Sequence, residues 1–338
     1  MTSGKAQQIL LVSRPEGPPT PENFRLEDMD MPVPGPGQIL VEAAYLSLDP
    51  YMRGRMSAAK SYAPPVELGT VMAGETVGTV LASQHPDFQV GDWVAARTGW
   101  RSHAAVKGTA ARKIDVEAAP ASTYLGVLGM PGFTAYCGLM EIGKPKAGET
   151  LVVAAASGPV GSLVGQLARR LELTTIGIAG GPEKCKALTE LFGFDRSIDH
   201  HDADLEANLA EACPKGIDIY FENVGGRVWN AVFPLLNQFA RVPVCGVVSL
   251  YSGETPSGSA TVPELMQTIL RKSLTLRGFI NYDLIAYYPA FLREVVPAVQ
   301  DGSIRYKEDV VEGLAAAPEA FMGMLKGKNF GKLLVKLV

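Results

Sequence analysis

The sequence predicts an α/β fold in which a doubly wound parallel sheet is inserted into a discontinuous domain of short strands. Three observations carry this. A buried-strand pattern at Leu151–Ala154 runs into a turn, Ala156-Ser157-Gly158-Pro159-Val160-Gly161, and then into an amphipathic helix pattern. From about Tyr124 to Gly302, strand-like apolar runs alternate with helix-like stretches, the rhythm of a parallel sheet covered on both faces. From Ile9 to about Ala111, short strands and Gly/Pro turns prevail, and one more strand pattern, Lys332–Leu337, returns after the alternation has ended.

The elements follow in order. GQILVEAAYLSL, ELGTVMAGETVGTVLA and VGDWVAA read as β segments closing a barrel-like sheet. Pro15, Pro18, Pro19, Pro21, Pro32, Pro34 and Pro36 punctuate the early loops as turn residues. Strands are then expected at 150–155, 173–179, 217–221, 241–247 and 274–280, with helices between them. A short helix is expected at Ala316–Lys326. The closing strand must pair somewhere, and the N-terminal β region is the natural place. The expected domains are therefore 1–123 with 303–338, and 124–302.

Bulk properties narrow the function. The 338 residues suffice for two domains, and 47% hydrophobic with 20% charged residues is an ordinary globular balance. A net charge of −4 with no basic cluster argues against a nucleic-acid surface. No signal-peptide pattern and no apolar run of membrane-spanning length is evident. Cys137, Cys185, Cys213 and Cys245 are scattered without ligand spacing, which fits free thiols in a reducing cytosol. A cytoplasmic location is expected.

The turn has a specific physical reading. Ala156, Gly158 and Gly161 occupy the glycine places of the dinucleotide fingerprint G-x-G-x-x-G, in its required strand–turn–helix context. Gly158 lets the backbone approach a pyrophosphate, Gly161 lets the helix lie close on the strand, and the helix N-terminus offers N–H groups to the anion. An NAD site carries Asp or Glu at the end of the second strand for the ribose 2′-hydroxyl. Here that strand ends in Ala179, Gly180 and Gly181, and Lys184 follows as a point charge. The pattern favours NADPH over NADH. Glu183 turned inward would instead be a ribose acid, with Lys184 on the surface.

With these residues in hand, the chain resembles the medium-chain dehydrogenase/reductase superfamily. Within it, the chain is similar to the zinc-independent branch of prostaglandin reductases, leukotriene B4 dehydrogenases and plant double-bond reductases. SLDPYMRGRM, VLGMPGFTAYCGL, VVAAASGPVG, GGPEKC, GFDRSIDHH, GIDIYFENVGG, ARVPVCGVVSLY, LRGFINY and GKNFGK carry the resemblance in order along nearly the whole chain. It implies a Rossmann doubly wound parallel sheet inserted into a GroES-like β-barrel catalytic domain. In zinc-dependent members a Gly-His-Glu segment and an early Cys supply ligands. The matching positions here are Ala73-Gly74-Glu75 and Ser47-Leu48-Asp49, and no cysteine precedes Cys137. No metal is expected. Asp199, His200, His201 and Asp202 read as a solvated loop.

The resemblance implies NADPH-dependent reduction of the activated C=C bond of α,β-unsaturated ketones and aldehydes. Enones, alkenals, curcumin-like and 15-oxoprostaglandin-like molecules are the substrates it suggests. Hydride adds to the β-carbon, and a hydrogen-bond donor stabilises the enolate before protonation. The candidate donors are Tyr62, Tyr251 and Tyr51, each of which could instead be a packing aromatic. Arg53 and Arg55 either orient a substrate carbonyl or pair with surface acids. The cofactor contacts implied are Ser157–Gly161, Gly180, Gly181, Lys184, Asn223, Cys245, Gly246, Tyr251, Phe279, Ile280, Asn281 and Asn329. His200 stands where prostaglandin reductases carry a tyrosine near the 2′-phosphate. A homodimer is expected through the edge of the last parallel strand, near Leu274–Phe279, with the segment 249–266 as a loop over the site. Competing readings are a quinone oxidoreductase and a nucleotide-binding structural protein without catalysis.

Overall fold

The computed structural model describes residues 5–253 and 261–338. Of the segment expected to cover the site, 254–260 lie outside the described residues. The chain forms two compact units, Met1–Gly126 with Glu308–Val338, and Val127–Lys307.

The first unit opens with β1 (Ala6–Leu11), which pairs antiparallel with β2 (Phe24–Met29). β3 (Gln38–Ser47) is buried along most of its length and leads into the single-turn helix α1 (Tyr51–Arg55). β4 (Thr70–Val71) pairs with β1. β5 (Thr76–Ser83), β6 (Trp93–Ala96), β7 (His103–Lys107) and β8 (Ala111–Lys113) build the larger sheet around β3. Register shifts between β3 and β5 at Leu40/Val41 and Ala43/Tyr45 mark bulges, which increase local twist and bend the sheet. Gly78 is required at this crossing, since a Cβ there would stand 1.9 Å from Glu42 O. Ile39, Val41, Val80, Val94 and Val106 fill one apolar cluster of this unit.

The second unit alternates strand and helix. Its elements are α2 (Met130–Cys137), β9 (Thr150–Val153), α3 (Pro159–Arg170), β10 (Thr174–Ala179), α4 (Pro182–Glu190), β11 (Arg196–Asp199), α5 (Leu205–Ala212), β12 (Ile217–Phe221), α6 (Gly226–Val232), β13 (Leu236–Val244), α7 (Val262–Lys272), β14 (Thr275–Gly278) and α8 (Tyr288–Gln300). The parallel strands lie in the order β11-β10-β9-β12-β13-β14. Strand order reverses between β9 and β12, so ligands are expected at the carboxyl ends of these strands. All four β9 residues are buried, as a strand covered on both faces requires. Val152, Ile176, Ile178, Tyr220, Val232 and Val242 share one core cluster.

β11 was not among the expected strands. Only Ile198 of Arg-Ser-Ile-Asp is buried, so the segment shows no apolar run. β13 begins at Leu236 rather than 241, with Phe239 at φ 64 inside an irregular stretch.

The chain then returns to the first unit as β15 (Glu308–Glu312), α9 (Ala317–Leu325) and β16 (Lys332–Lys336). β16 lies between β15, to which it is parallel, and β3, to which it is antiparallel. The destination foreseen for the closing strand is thus the observed one. Leu333 and Val335 join Ile9, Leu11, Leu46, Met52, Met56 and Trp100 in a second apolar cluster. Each such burial is worth about 1.5–3 kcal/mol. Trp100 stacks on Phe24 at 5.6 Å and meets Phe321 of α9 edge-on at 5.7 Å.

Candidate active site

The second unit positions the nucleotide-type groups. After β9, Ala155 takes φ 51, and its carbonyl accepts the Gly158 N–H at 3.0 Å, closing a tight turn. The Ala156 N–H is tied to Ile178 O of β10 at 2.9 Å. A Cβ on Gly161 would lie 2.5 Å from Ala155 O, so only glycine lets α3 approach the turn this closely. Gly158 is the N-cap and Pro159 opens the helix. The Val160 and Gly161 N–H groups have no carbonyl within the helix to bond. N–H groups left open at a glycine-lined helix start are the kind of site that takes an anion such as a phosphate.

At the end of β10, Gly180 and Gly181 pass beside the histidines. A Cβ on Gly180 would stand 2.7 Å from His200 Nε2. Gly181 has φ 87, and its N–H is accepted by Asp199 Oδ1 at 3.0 Å. The same oxygen accepts the His201 N–H at 2.9 Å. Burial alone would raise the Asp199 carboxyl, but these amide bonds bring it below its ordinary value. The His200 and His201 rings lie 4.2 Å apart. Burial first, then the neighbouring His201, lowers the His200 imidazole below its ordinary range. Arg227 of α6 donates to the carbonyls of His200 at 3.0 Å, Asp202 at 2.5 Å and Ala203 at 3.1 Å, which fastens this loop. Lys184 sits in the first turn of α4. From the sequence, Asp199 reads only as part of a solvated loop, and Arg227 is not singled out. The signal for Asp199 was its place at the end of a strand that composition hides.

The β12–α6 loop is organised by Glu222. Its Oε1 accepts the N–H groups of Val224 at 2.6 Å and Gly225 at 2.8 Å. Its carbonyl accepts Cys245 N–H at 2.9 Å and Gly246 N–H at 3.2 Å. Burial pushes this carboxyl up, opposed by the two amides. Gly225 and Gly226 have φ 75 and 57, which glycine supplies without strain. Asn223 donates from Nδ2 to Ala154 O at 2.8 Å and accepts Val248 N–H at 3.2 Å, so it locks two loops together. The Tyr251 hydroxyl lies 3.1 Å from where a Gly246 Cβ would be, so the two residues approach closely. Burial, then the nearby Glu222, pushes the Cys245 thiol up to about 12, which disfavours the thiolate. Phe279 meets Phe221 edge-on at 6.4 Å, Ile280 follows in extended backbone, and Asn281 Nδ2 donates to Thr134 Oγ1 at 3.1 Å. Thus Ser157 and Gly158, the first residues of α3 (Pro159–Gly161), Asn223, Cys245, Gly246 and Tyr251 all follow the carboxyl ends of β9, β12 and β13.

The first unit carries Tyr51, Tyr62 and Asn329. Tyr51 begins α1, and Tyr62 stands 58% exposed in an irregular segment. Asn329 Nδ2 donates to Gly331 O at 2.9 Å. It lines a cavity of about 600 Å³ with Pro19, Met322, Lys326 and Lys328, to which none of the tyrosines contributes. The root of α1 is pinned by a buried ion pair. Lys332 Nζ donates to Asp49 Oδ1 at 2.7 Å and to Leu48 O at 2.8 Å, and Ser47 donates to Asp49 Oδ2. The side chains of this pair are 3% and 7% exposed. Such a pair is costly to break on one side, because the other charge stays buried. Among the described residues, no group of three or more His, Cys, Asp or Glu could hold a metal ion. No helix among them is long and apolar enough to cross a membrane.

A parallel-sheet unit with a glycine-lined helix start, inserted between the halves of a β unit, defines a two-unit dinucleotide-type oxidoreductase. Residues 7–114 match the family described as the N-terminal domain of oxidoreductase, and residues 159–297 match zinc-binding dehydrogenase. The chain is 53% identical over 330 residues to the NADPH-dependent curcumin reductase of Escherichia coli K12, covering 97% of this chain and 96% of that one. It is 40% identical over 339 residues to the NADP(+)-dependent 2-alkenal reductase of Nicotiana tabacum, covering 97% and 96%. The crystal structure of CurA from Vibrio vulnificus in complex with NADPH superposes with a TM-score of 0.94 at 50% identity, covering 98% and 99%. The chain belongs to the medium-chain dehydrogenase/reductase family, with the double-bond reductases and prostaglandin reductases it resembles.

Proposed function

We propose that this protein is an NADPH-dependent reductase of activated C=C bonds in α,β-unsaturated ketones and aldehydes. The observation that carries the reading is that full-length relatives are named for reducing curcumin and 2-alkenals, both conjugated to a carbonyl. The cradle at Ala155–Gly161, which a Cβ at 161 would close, fits a pyrophosphate. Gly180 and Gly181 leave space for a 2′-phosphate. Lys184 supplies its charge there, and neutral His200 supplies a hydrogen bond. Asn223, Cys245, Gly246, Phe279, Ile280 and Asn281 shape the nicotinamide end, and Asn329 adds a late contact.

Bound NADPH supplies a hydride to the β-carbon of the substrate. The chain's own task is the oxygen. As negative charge grows there, the hydroxyl of Tyr62 or Tyr251 donates to it, with Tyr51 as the third candidate. A neutral phenol suits this role because it donates without first having to be charged. We propose further that the protein is a cytoplasmic homodimer. The four cysteines are free thiols, and β14 ends its sheet with an open edge that a second copy would cover.

Turnover of NADPH with benzylideneacetone, with 2-hexenal and with a simple quinone tests the reading. Reduction of the alkenes with recovery of the saturated carbonyl compounds is expected. Oxidation of NADPH by the quinone alone would replace it with the quinone reductase reading.

A further inference from the structure

Three arginines surround α1, and two of them are committed. Arg14 donates to Met56 O at 2.9 Å and to Val66 O at 3.0 Å. Arg53 is 5% exposed and donates to Gly17 O at 2.6 Å. Arg55 differs. It is half-buried, and its guanidinium makes no hydrogen bond or ion pair among the described residues. What it does touch is aromatic. Its Cζ lies 4.7 Å from the ring centroid of Tyr62 and 5.7 Å from that of Tyr51.

The geometry divides the guanidinium by direction. Contact with a ring uses the face of the planar cation. Hydrogen bonding uses its edge, where five N–H donors lie in a fixed fork. Here the cation lies over two rings, and its N–H groups have no acceptor among the described residues. A partly desolvated cation with an open fork, flanked by two aromatic rings, complements one kind of molecule: a flat conjugated body that carries an oxygen anion.

We infer that Arg55 is a specificity-determining residue, receiving with Tyr51 and Tyr62 a flat enone that bears a carboxylate or phenolate away from its double bond. The inference rests on the reductase reading for the identity of the enone. It extends that reading by naming the charge the substrate carries. If the stack served only to hold Tyr62 against α1, every substrate would be affected alike.

The test compares benzylideneacetone with para-carboxybenzylideneacetone in wild type, Arg55→Met and Arg55→Lys. Melting temperatures confirm that each variant is folded. In Arg55→Met, the ratio of kcat/KM for the carboxylate substrate to that for the neutral one should fall roughly 10- to 150-fold, the range of a charge-assisted hydrogen bond. Arg55→Lys should recover part of it, keeping the charge without the fork. Equal losses on both substrates would overturn the assignment. Calorimetric binding of the two compounds separates this from the reductase reading. If wild type binds both but reduces neither, the reductase reading fails, while a Kd ratio that collapses in Arg55→Met still supports Arg55. A Kd ratio unchanged by the substitution overturns Arg55 whatever the turnover.

Discussion

Lys184 stands three residues past Gly181, in the first turn of α4, and only one of the two nicotinamide dinucleotides has the phosphate it would meet. Lys184→Ala should therefore raise KM for NADPH by about 10- to 150-fold, the value of a charge-assisted contact, with KM for NADH nearly unchanged. Initial-rate kinetics with both cofactors check this. The tyrosines make a different demand. A donor that strengthens only as charge develops lowers kcat more than it weakens binding when removed. Tyr62→Phe or Tyr251→Phe should lower kcat about 10- to 1000-fold. Near-wild-type kcat in both single variants and in the double variant would leave the phenols as walls of the pocket. The glycines and Lys184 could be nominated from the sequence because a phosphate site imposes fixed spacing along one stretch of chain. The role of Arg55 was not. Its partner Tyr62 belongs to a segment without period or regular hydrogen bonding, and no local pattern says that the two rings share one cation.

The β12–α6 loop shows how an element stores a pH dependence. Glu222 is buried and its carboxyl is raised above its ordinary value. A raised acid favours the folded state fully below its ordinary pKa, and that contribution disappears as pH rises through the folded pKa. Glutamine at this place keeps an oxygen for the Val224 and Gly225 amides and does not titrate. The melting temperature of wild type relative to Glu222→Gln should thus decline as pH rises from about 4.5 towards neutrality. A difference constant over that range would show that Glu222 does not titrate on unfolding. Elements with apolar signatures were legible. β9 carries the apolar run Leu151–Val153, β12 carries Ile217 and Ile219–Phe221 around a single Asp218, and β16 has three consecutive buried apolar residues. β11 and β15 were not, for a shared reason. Both are sheet edges with charged ends, Arg196 and Asp199 in one, Glu308 and Glu312 in the other. Edge strands are kept polar, which removes the alternation by which strands are recognised.

At the scale of the whole molecule, the open edge of β14 and the outer face of α7 raise the question of a second copy. Val262, Met266 and Leu270 form a row at helical spacing on α7 and are 73%, 59% and 82% exposed. With Met266→Glu and Leu270→Glu together, the proposed dimer should dissociate to monomers by light scattering at micromolar concentration. A wild-type monomer under the same conditions would refute the pairing. Exhaustive chelation should leave both activity and melting temperature unchanged, and stoichiometric zinc in active protein would contradict this.

β16 has a further consequence, and it concerns time. The second unit is one continuous stretch and is finished when its own last residue has been made. The first unit is not. Its long strand β3 is translated first, yet the neighbour that covers its Tyr45–Ser47 end, β16, follows only after the whole second unit has been made. At a translation rate of about 5–20 residues per second, roughly 15–60 s separate the two pieces. During that interval the Tyr45–Ser47 end of β3 has an uncovered edge, and the apolar cluster around Trp100 lacks Phe321, Leu333 and Val335. The nascent chain thus holds a completed nucleotide-type unit beside a half-built partner. This is the period in which the protein is most exposed to aggregation through its strands, and in which a chaperone has most to protect.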